Sequence, residues 1–415
     1  MALTLQALLG IVVFCAIAWL AGTARRAVRW RGVVAGLALQ FALCALLLHA
    51  PGARFVFDVL NRLVVALQAA TTAGTGFVFG YLGGGPAPFE ITQPAHDFVL
   101  AFRALPLVLV IGALTSLLIY WRVLPLVVRL LGLLLERVLG IGAALSFGCA
   151  ANVFLGMVEA PLFIKPWLTR LTRSELFVLL VSGMATIAGT VMMLYASILA
   201  PVVPDAVGHL LVASIVSVPA AVVMAQLMVP ETATPTRGDW RVPRGADSAI
   251  EAIANGTQTG LQLCLQIVAM LVVLVALVHL FNLALALLPA VGGEALTLQR
   301  MLGWLMAPLA WLMGIPWSEA PQAGRLLGIK TVLNELLAYL ELARAAPATF
   351  GERTRIVLTY AMCGFANIGS LGILIAGIGE MAPTRRAEVL SLGPRAVLAG
   401  TLATLSTGAV VGVLL

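Results

Sequence analysis

Asn152-Val-Phe-Leu-Gly-Met-Val-Glu159-Ala-Pro161 puts a carboxamide, a glycine, a carboxylate and a proline in the middle of a stretch that is otherwise apolar enough for a bilayer interior. Two further islands repeat the pattern: Asn334-Glu335, and Phe365-Ala-Asn367-Ile-Gly-Ser370. An ionisable side chain at membrane depth costs several kcal/mol, so it normally faces a cavity or a pathway. Each island interrupts what would otherwise be a spanning helix. The fold therefore depends on whether the apolar arms around each break are long enough to cross a membrane.

The rest of the chain establishes that a membrane is the right frame. The 415 residues are 61% hydrophobic and 10% charged, with a mean hydropathy of +1.05. A soluble domain carries about 25% charged residues. The formal charge of +7 reflects arginines spread over separate loops. That pattern excludes a nucleic-acid-binding stripe and fits the positive-inside rule. The five cysteines, Cys15, Cys44, Cys149, Cys264 and Cys363, lie in apolar runs without CxxC spacing. They read as small core residues. His49, His96, His209 and His279 are scattered and form no metal pattern. The apolar run 4–22 lacks a basic segment before it and reads as a first membrane helix, not a cleaved signal.

A bilayer crossing takes about 20 apolar residues. Segments 4–22, 32–50, 96–121, 175–200, 206–229, 256–285, 354–379 and 388–415 meet that requirement. Residues 53–72 carry Arg54, Asp58, Asn61 and Arg62 at helical spacing, and 122–140 carry Arg122, Arg129, Glu136 and Arg137. Both read as amphipathic interfacial helices. Segments 141–166 and 320–345 each hold two apolar arms around a polar or Gly/Pro break. An arm of about 12 residues reaches roughly 18 Å, about half the hydrocarbon core, so each segment reads as a re-entrant hairpin.

The expected fold is an all-α polytopic membrane protein with about eight transmembrane helices, two re-entrant hairpins and interfacial helices. Residues 122–229 and 286–415 run in the same order: interfacial helix, hairpin, broken helix, helix. Placing the loop with Arg25, Arg26, Arg29 and Arg31 inside also puts inside Arg122, Arg129, Arg137, Lys165, Arg170, Arg173, Arg237, Arg241, Arg244, Arg385 and Arg386. Arg344, Arg353 and Arg355 go against this majority. Both termini then face outside and the two hairpins enter from opposite sides. Such an inverted repeat of interrupted segments points to a transport site at the midplane.

In the first hairpin, Gly156 suits a turn, Pro161 suits the start of the second half-helix, and Glu159 sits beside free amides. A structural kink with Glu159 paired to an arginine is the alternative. The stretch Met184-Ala-Thr186-Ile-Ala-Gly189-Thr190 suits either an unwound helix or a tight helix contact. Glu335 has the acceptor capacity for a vicinal diol, with a Lys330–Glu335 structural pair as the alternative. Asn367 and Ser370 add donors and acceptors, and Phe365 offers an apolar face or simple packing. Two buried carboxylates with amides and hydroxyls, and no persuasive catalytic or metal set, favour a carrier of a neutral, hydroxyl-rich solute over an intramembrane enzyme.

The residues Gly328-x-Lys330-x-x-x-Asn334-Glu335-x-x-Ala338-Tyr339 resemble the signature of the concentrative nucleoside transporter family. Further matches are Gly74-Thr-Gly-Phe-Val-Phe-Gly80, Gly156-x-x-Glu159-Ala-Pro-Leu162, Ala185-Thr-Ile-Ala-Gly189, Val218-Pro-Ala-Ala221, Ala254-Asn-Gly256 and Cys363-Gly-Phe-Ala-Asn367. The resemblance covers about residues 50–415 and is closest to the short bacterial form. It implies a secondary active nucleoside importer of the inner membrane, driven by sodium, with a homotrimeric scaffold and an elevator-type transport domain.

By the same resemblance, residues 1–121 are scaffold helices with a first interfacial helix, and 122–229 form the first transport repeat. Residues 230–285 form a cytoplasmic loop and a long scaffold helix, and 286–415 form the second repeat. Glu335, Asn367 and Ser370 would hold the ribose, and Phe365 and Val191 would pack near the base. Gly156, Met157, Val158 and Glu159 would face the base. Sodium would be held by the Asn152 and Thr186 side chains with carbonyls from Asn152, Leu155, Thr186 and Ile187. The family commonly has Gln-Thr where this chain has Met157-Val158, which implies altered base selectivity. Proton coupling and a same-fold importer of another solute are the alternatives.

Overall fold

The computed structural model describes residues 2–49, 52–92, 98–236 and 245–415. Arg237, Arg241, Arg244 and His96 lie outside the described residues. All regular elements among the described residues are helical.

The chain opens with helices Ala2–Leu20 and Trp30–His49. Neither shows a strong apolar stripe because both are apolar almost all round, as suits lipid or protein on every side. A third helix, Ala53–Phe79, runs 27 residues, longer than the expected 53–72. Arg54, Asp58, Asn61 and Arg62 all fall near its start, and no charge follows up to Phe79. With the turn Gly80–Gly83 it contributes Phe57–Gly83 to the eight segments that, among the described residues, are long and apolar enough to cross a membrane. Segment 354–379, expected as a span, is instead two helices, Glu352–Met362 and Ile368–Met381.

The long helix Ala249–Leu285 packs on Leu107–Tyr120 where Gly256 and Gly260 meet Gly112 and Leu109. A Cβ on Gly112 would lie 2.7 Å from the Gly256 carbonyl oxygen, so the pairing of small residues four apart sets the interhelical distance.

The segments read as two repeats contain these helices in chain order. Helix Val123–Leu139 buries Val128, Gly132, Leu135 and Leu139 along one face, with its charges on the other. The corresponding helix in the second repeat is Leu298–Leu312. The first hairpin has one regular arm, Ala143–Ala151, fully buried from Ala144 onward. Its second arm is not the continuous helix expected. It consists of two single turns, Glu159–Leu162 and Lys165–Leu168. Pro166 has no N–H for the carbonyl of Leu162, and its ring crowds that carbonyl, so the helix cannot run through. The second hairpin, Ala320–Val332 and Glu335–Arg344, has helical arms on both sides.

Both broken helices are broken where expected. The first runs Arg173–Ala185, stops at Thr186, and resumes as Gly189–Leu199. Its start carries a capping box in which Thr172 and Glu175 satisfy each other's amides. The second resumes at Ile368 after residues 363–367. Helices Ala206–Met228 and Arg386–Leu414 close the repeats and are buried over most of their length. The five cysteines are free thiols, four buried and Cys15 half-buried.

Candidate functional site

The breaks in the two broken helices are tied together and to both hairpin tips. At the first break, the Thr186 hydroxyl donates to the Ser182 carbonyl at 2.9 Å, within its own helix. That local bond competes with helix continuation, and Thr186 adopts an extended conformation. The freed Gly189 N–H donates to the Phe154 carbonyl of the first hairpin at 2.9 Å. The Phe365 N–H of the second break donates to the Thr186 carbonyl at 3.3 Å. Gly189 and Gly364 have to be glycine for space. A Cβ on Gly189 would sit 2.8 Å from the Phe154 carbonyl oxygen, and one on Gly364 would sit 3.0 Å from the Ala185 backbone.

Glu335 is the centre of the second hairpin's contribution. It is 3% exposed and lies in the first turn of the helix Glu335–Arg344. Its Oε1 accepts from the Tyr195 hydroxyl at 2.6 Å, and its Oε2 accepts from Asn367 Nδ2 at 2.9 Å. One carboxylate thus joins the second hairpin, the first broken helix and the second break. Asn367 also caps the helix that follows, its Oδ1 accepting from Ser370 N–H at 2.7 Å. Ser370 is buried beside it. Asn334 caps the second arm of the hairpin, with Oδ1 accepting from Leu337 N–H at 2.9 Å.

Lys330 and Glu335 form no ion pair. The Lys330 ammonium donates to Thr404 Oγ1 at 2.8 Å and to the Ala361 carbonyl at 3.4 Å. Tyr195 stands outside the polar islands that mark the other site residues in the sequence. Its ring packs against Tyr339 at 5.2 Å between centroids, and Tyr339 donates to the Thr359 carbonyl at 2.8 Å. The signal was present: Tyr195 lies one turn beyond Val191 on the same helix face, and a buried phenol needs a partner.

The first hairpin tip is arranged differently. Gly156 does not take a left-handed backbone conformation. It is needed for space instead, because a Cβ there would run into the Glu159 carboxylate, which folds back over it. Met157 is buried against Gly183 of the first broken helix, whose Cβ position is 3.0 Å from Met157 Cβ. Val158 stands against Gly377 on the helix Ile368–Met381. Phe365 is half-buried and Val191 buried.

Asn152, Leu155, Thr186 and Ile187 are all buried. Neither the Oδ1 nor the Nδ2 of Asn152 has a hydrogen-bond partner among the described residues, and the Ser182 hydroxyl is likewise unpartnered. Asn152 Oδ1 lies 3.8 Å from the Cβ position of Gly183, so the orphaned carboxamide faces the turn 182–186. A buried polar group left unpaired costs about 1–3 kcal/mol. Among the described residues, no group of three or more His, Cys, Asp or Glu side chains is placed to hold a metal ion.

Comparisons with known proteins decide the family. Residues 209–412 match a sequence family described as "Na+ dependent nucleoside transporter C-terminus", 9–82 match its N-terminal counterpart, and 101–202 match a family described as "Nucleoside recognition". The chain is 36% identical to "Nucleoside permease NupC" of Helicobacter pylori, covering 99% of this chain and 97% of the permease. The chain belongs to the concentrative nucleoside transporter family. It is 38% identical to an "Uncharacterized transporter" of Haemophilus influenzae, with 98% of this chain and 97% of that protein covered. The structure of the transporter CNTnw "in an inward-facing substrate-bound state" superposes with a TM-score of 0.91 at 36% identity, covering 99% of this chain and 97% of that one. These relatives are named as transporters and permeases, not enzymes. The protein is a multi-pass membrane nucleoside transporter of that family, with its scaffold and transport-domain architecture.

Proposed function

We propose that this protein imports nucleosides by secondary active transport driven by a sodium gradient. The observation that carries the reading is the Glu335 carboxylate, buried and held between Tyr195 and Asn367 where the first broken helix, the second break and the second hairpin meet. In this reading Glu335, Asn367 and Ser370 take the ribose hydroxyls, since a fixed carboxylate accepts from a vicinal diol. Phe365 and Val191 pack against the base, with Gly156, Met157, Val158 and Glu159 on the opposite side. Neither Met157 nor Val158 can replace the hydrogen bonds of Gln and Thr, so base selectivity is relaxed.

Sodium takes the pocket at Asn152, Leu155, Thr186 and Ile187, with the Asn152 and Thr186 side-chain oxygens and carbonyl oxygens as ligands. The orphaned Asn152 carboxamide supports this, because a bound cation satisfies Oδ1. Oxygen-only ligation suits a hard cation. In the proposed assembly, residues 1–121 and 230–285 form the scaffold of a homotrimer. Residues 122–229 and 286–415 carry the substrate as an elevator, with their hairpins re-entering from opposite sides. Both termini lie outside the bacterial inner membrane.

The test is uptake of labelled uridine and adenosine into proteoliposomes under an imposed sodium gradient and, separately, a proton gradient. Accumulation with sodium alone, lost in Glu335→Gln, supports the reading. Accumulation driven equally by protons without sodium overturns the coupling, and no uptake of either nucleoside overturns the substrate.

A further inference from the structure

A second concave site lies well away from the breaks. Five helix ends meet there: the starts of Trp30–His49, Ala143–Ala151 and Arg173–Ala185, and the ends of Val123–Leu139 and Ala206–Met228. These apolar helices all terminate at this level, so the site sits at one edge of the apolar slab. Its volume is about 690 Å³, within the range of ligand pockets.

The chemistry of its wall is two-sided. Arg29, Arg31 and Arg137 line it, and none has an ion pair or side-chain hydrogen bond among the described residues. Two carboxylates share the wall, Glu175 and Glu231, so three arginines leave it one positive charge in excess, and the carboxylate oxygens are directed at neutral donors and not at the guanidinium groups. Glu175 accepts from Thr172 N–H at 2.9 Å, from Thr236 N–H at 2.8 Å and from the Thr236 hydroxyl at 2.6 Å. Glu231 accepts from the Thr172 hydroxyl at 2.6 Å and from Ala233 N–H at 2.9 Å. The remaining wall is apolar, with Leu139, Leu145 and Val178. Trp30, 54% exposed, stands at the mouth, where its amphipathic ring suits the headgroup level.

We propose that this cavity binds an anionic phospholipid, its phosphate taken by Arg29, Arg31 and Arg137 and the start of an acyl chain lying on the apolar wall. A guanidinium fork matches phosphate oxygens two at a time, and basic pockets between membrane helices are suited to anionic headgroups. A free phosphate offers the same anion but leaves the apolar wall uncovered.

The experiment uses the intact protein in neutral detergent and follows its thermal unfolding midpoint during titration at constant ionic strength. The titrants are dioleoylphosphatidylglycerol, dioleoylphosphatidylcholine and inorganic phosphate. The expected result is a saturable rise with phosphatidylglycerol alone. In the triple variant R29Q/R31Q/R137Q, half-saturation should weaken on the order of a hundredfold, the scale for three basic side chains near an anionic headgroup. The variant R26Q/R170Q, whose arginines do not line the cavity, should respond as the unaltered protein does. Equal responses to the two lipids, or a full response in the triple variant, would overturn the proposal. A response to phosphate alone equal to that of phosphatidylglycerol would overturn the lipid as the source. Should the triple variant not fold, Ala35→Phe fills the same wall without changing charge, and an undiminished phosphatidylglycerol response there would equally overturn the site.

Discussion

The two hairpin tips each hold an asparagine, one at the end of a first arm and the other at the start of a second arm, and the structure uses them in opposite ways. Asn334 precedes a helix with φ −166° and ψ 169°, and its carboxamide oxygen satisfies the free Leu337 N–H at 2.9 Å. Asn152 follows a helix with φ −60° and ψ −20°, continuing the helical turn, where only carbonyls are free. A helix start presents unpaired donors and a helix end presents unpaired acceptors. The same side chain is therefore a cap at one tip and an orphan at the other. The second tip completes its own hydrogen bonds within the chain, whereas the first leaves the Asn152 carboxamide unpaired among the described residues.

The largest effect should fall on the completed tip. Glu335→Gln keeps the shape and loses the charge behind two hydrogen bonds, each worth about 1.5–3 kcal/mol when charged. Nucleoside uptake should fall about a hundredfold or more, while the unfolding midpoint stays close to that of the unaltered protein. Uptake within a factor of a few of normal would break the assignment of Glu335.

The orphaned tip should respond with the opposite sign. In sodium-free buffer, Asn152→Leu removes two unpaired buried polar atoms, and stability should hold or rise, with about 1–3 kcal/mol of burial cost relieved. Added sodium should raise the midpoint of the unaltered protein but not of Asn152→Leu. A large loss of stability without sodium would mean that the carboxamide has a structural partner after all.

Tyr195→Phe sharpens the picture of the second tip by removing one of the two donors to Glu335 while keeping the ring on Tyr339. KM for nucleoside should rise about tenfold, the scale of one hydrogen bond to a charged group. Measuring KM and kcat separately checks this, because a purely structural phenol would leave KM unchanged. Asn334→Ala should have the smallest effect, a loss of about 1 kcal/mol in unfolding free energy for a missing cap. If chemical denaturation finds Asn334→Ala and Asn152→Leu equally destabilising, the contrast between the tips fails.

Much of this was legible in the chain. The breaks at Thr186 and at residues 363–367 fall where small and polar residues interrupt apolar runs, because a helix in that setting has few ways to satisfy an interruption. Other features were not. Gly156 suggested an unusual backbone, but it is there to leave room for Glu159. The second arm of the first hairpin read as one helix because its apolar run is long enough for one, whereas Pro166 divides it into two single turns. Lys330 and Glu335 stand close in sequence, yet Lys330 bonds to Thr404, 74 positions away.

The link to nucleosides came from the resemblance of whole motifs to a known family; composition and the three polar islands determined by themselves that the chain lies in a membrane and folds as helices with polar interruptions. Those properties follow from solvent transfer and helix periodicity, which are local and additive along the sequence. Only the tertiary structure decided that Tyr195 and Asn367 converge on Glu335 while Asn152 is left unpaired. Such pairings depend on which helix ends are brought together, and a hydrogen bond is worth its energy only at a distance of about 3 Å.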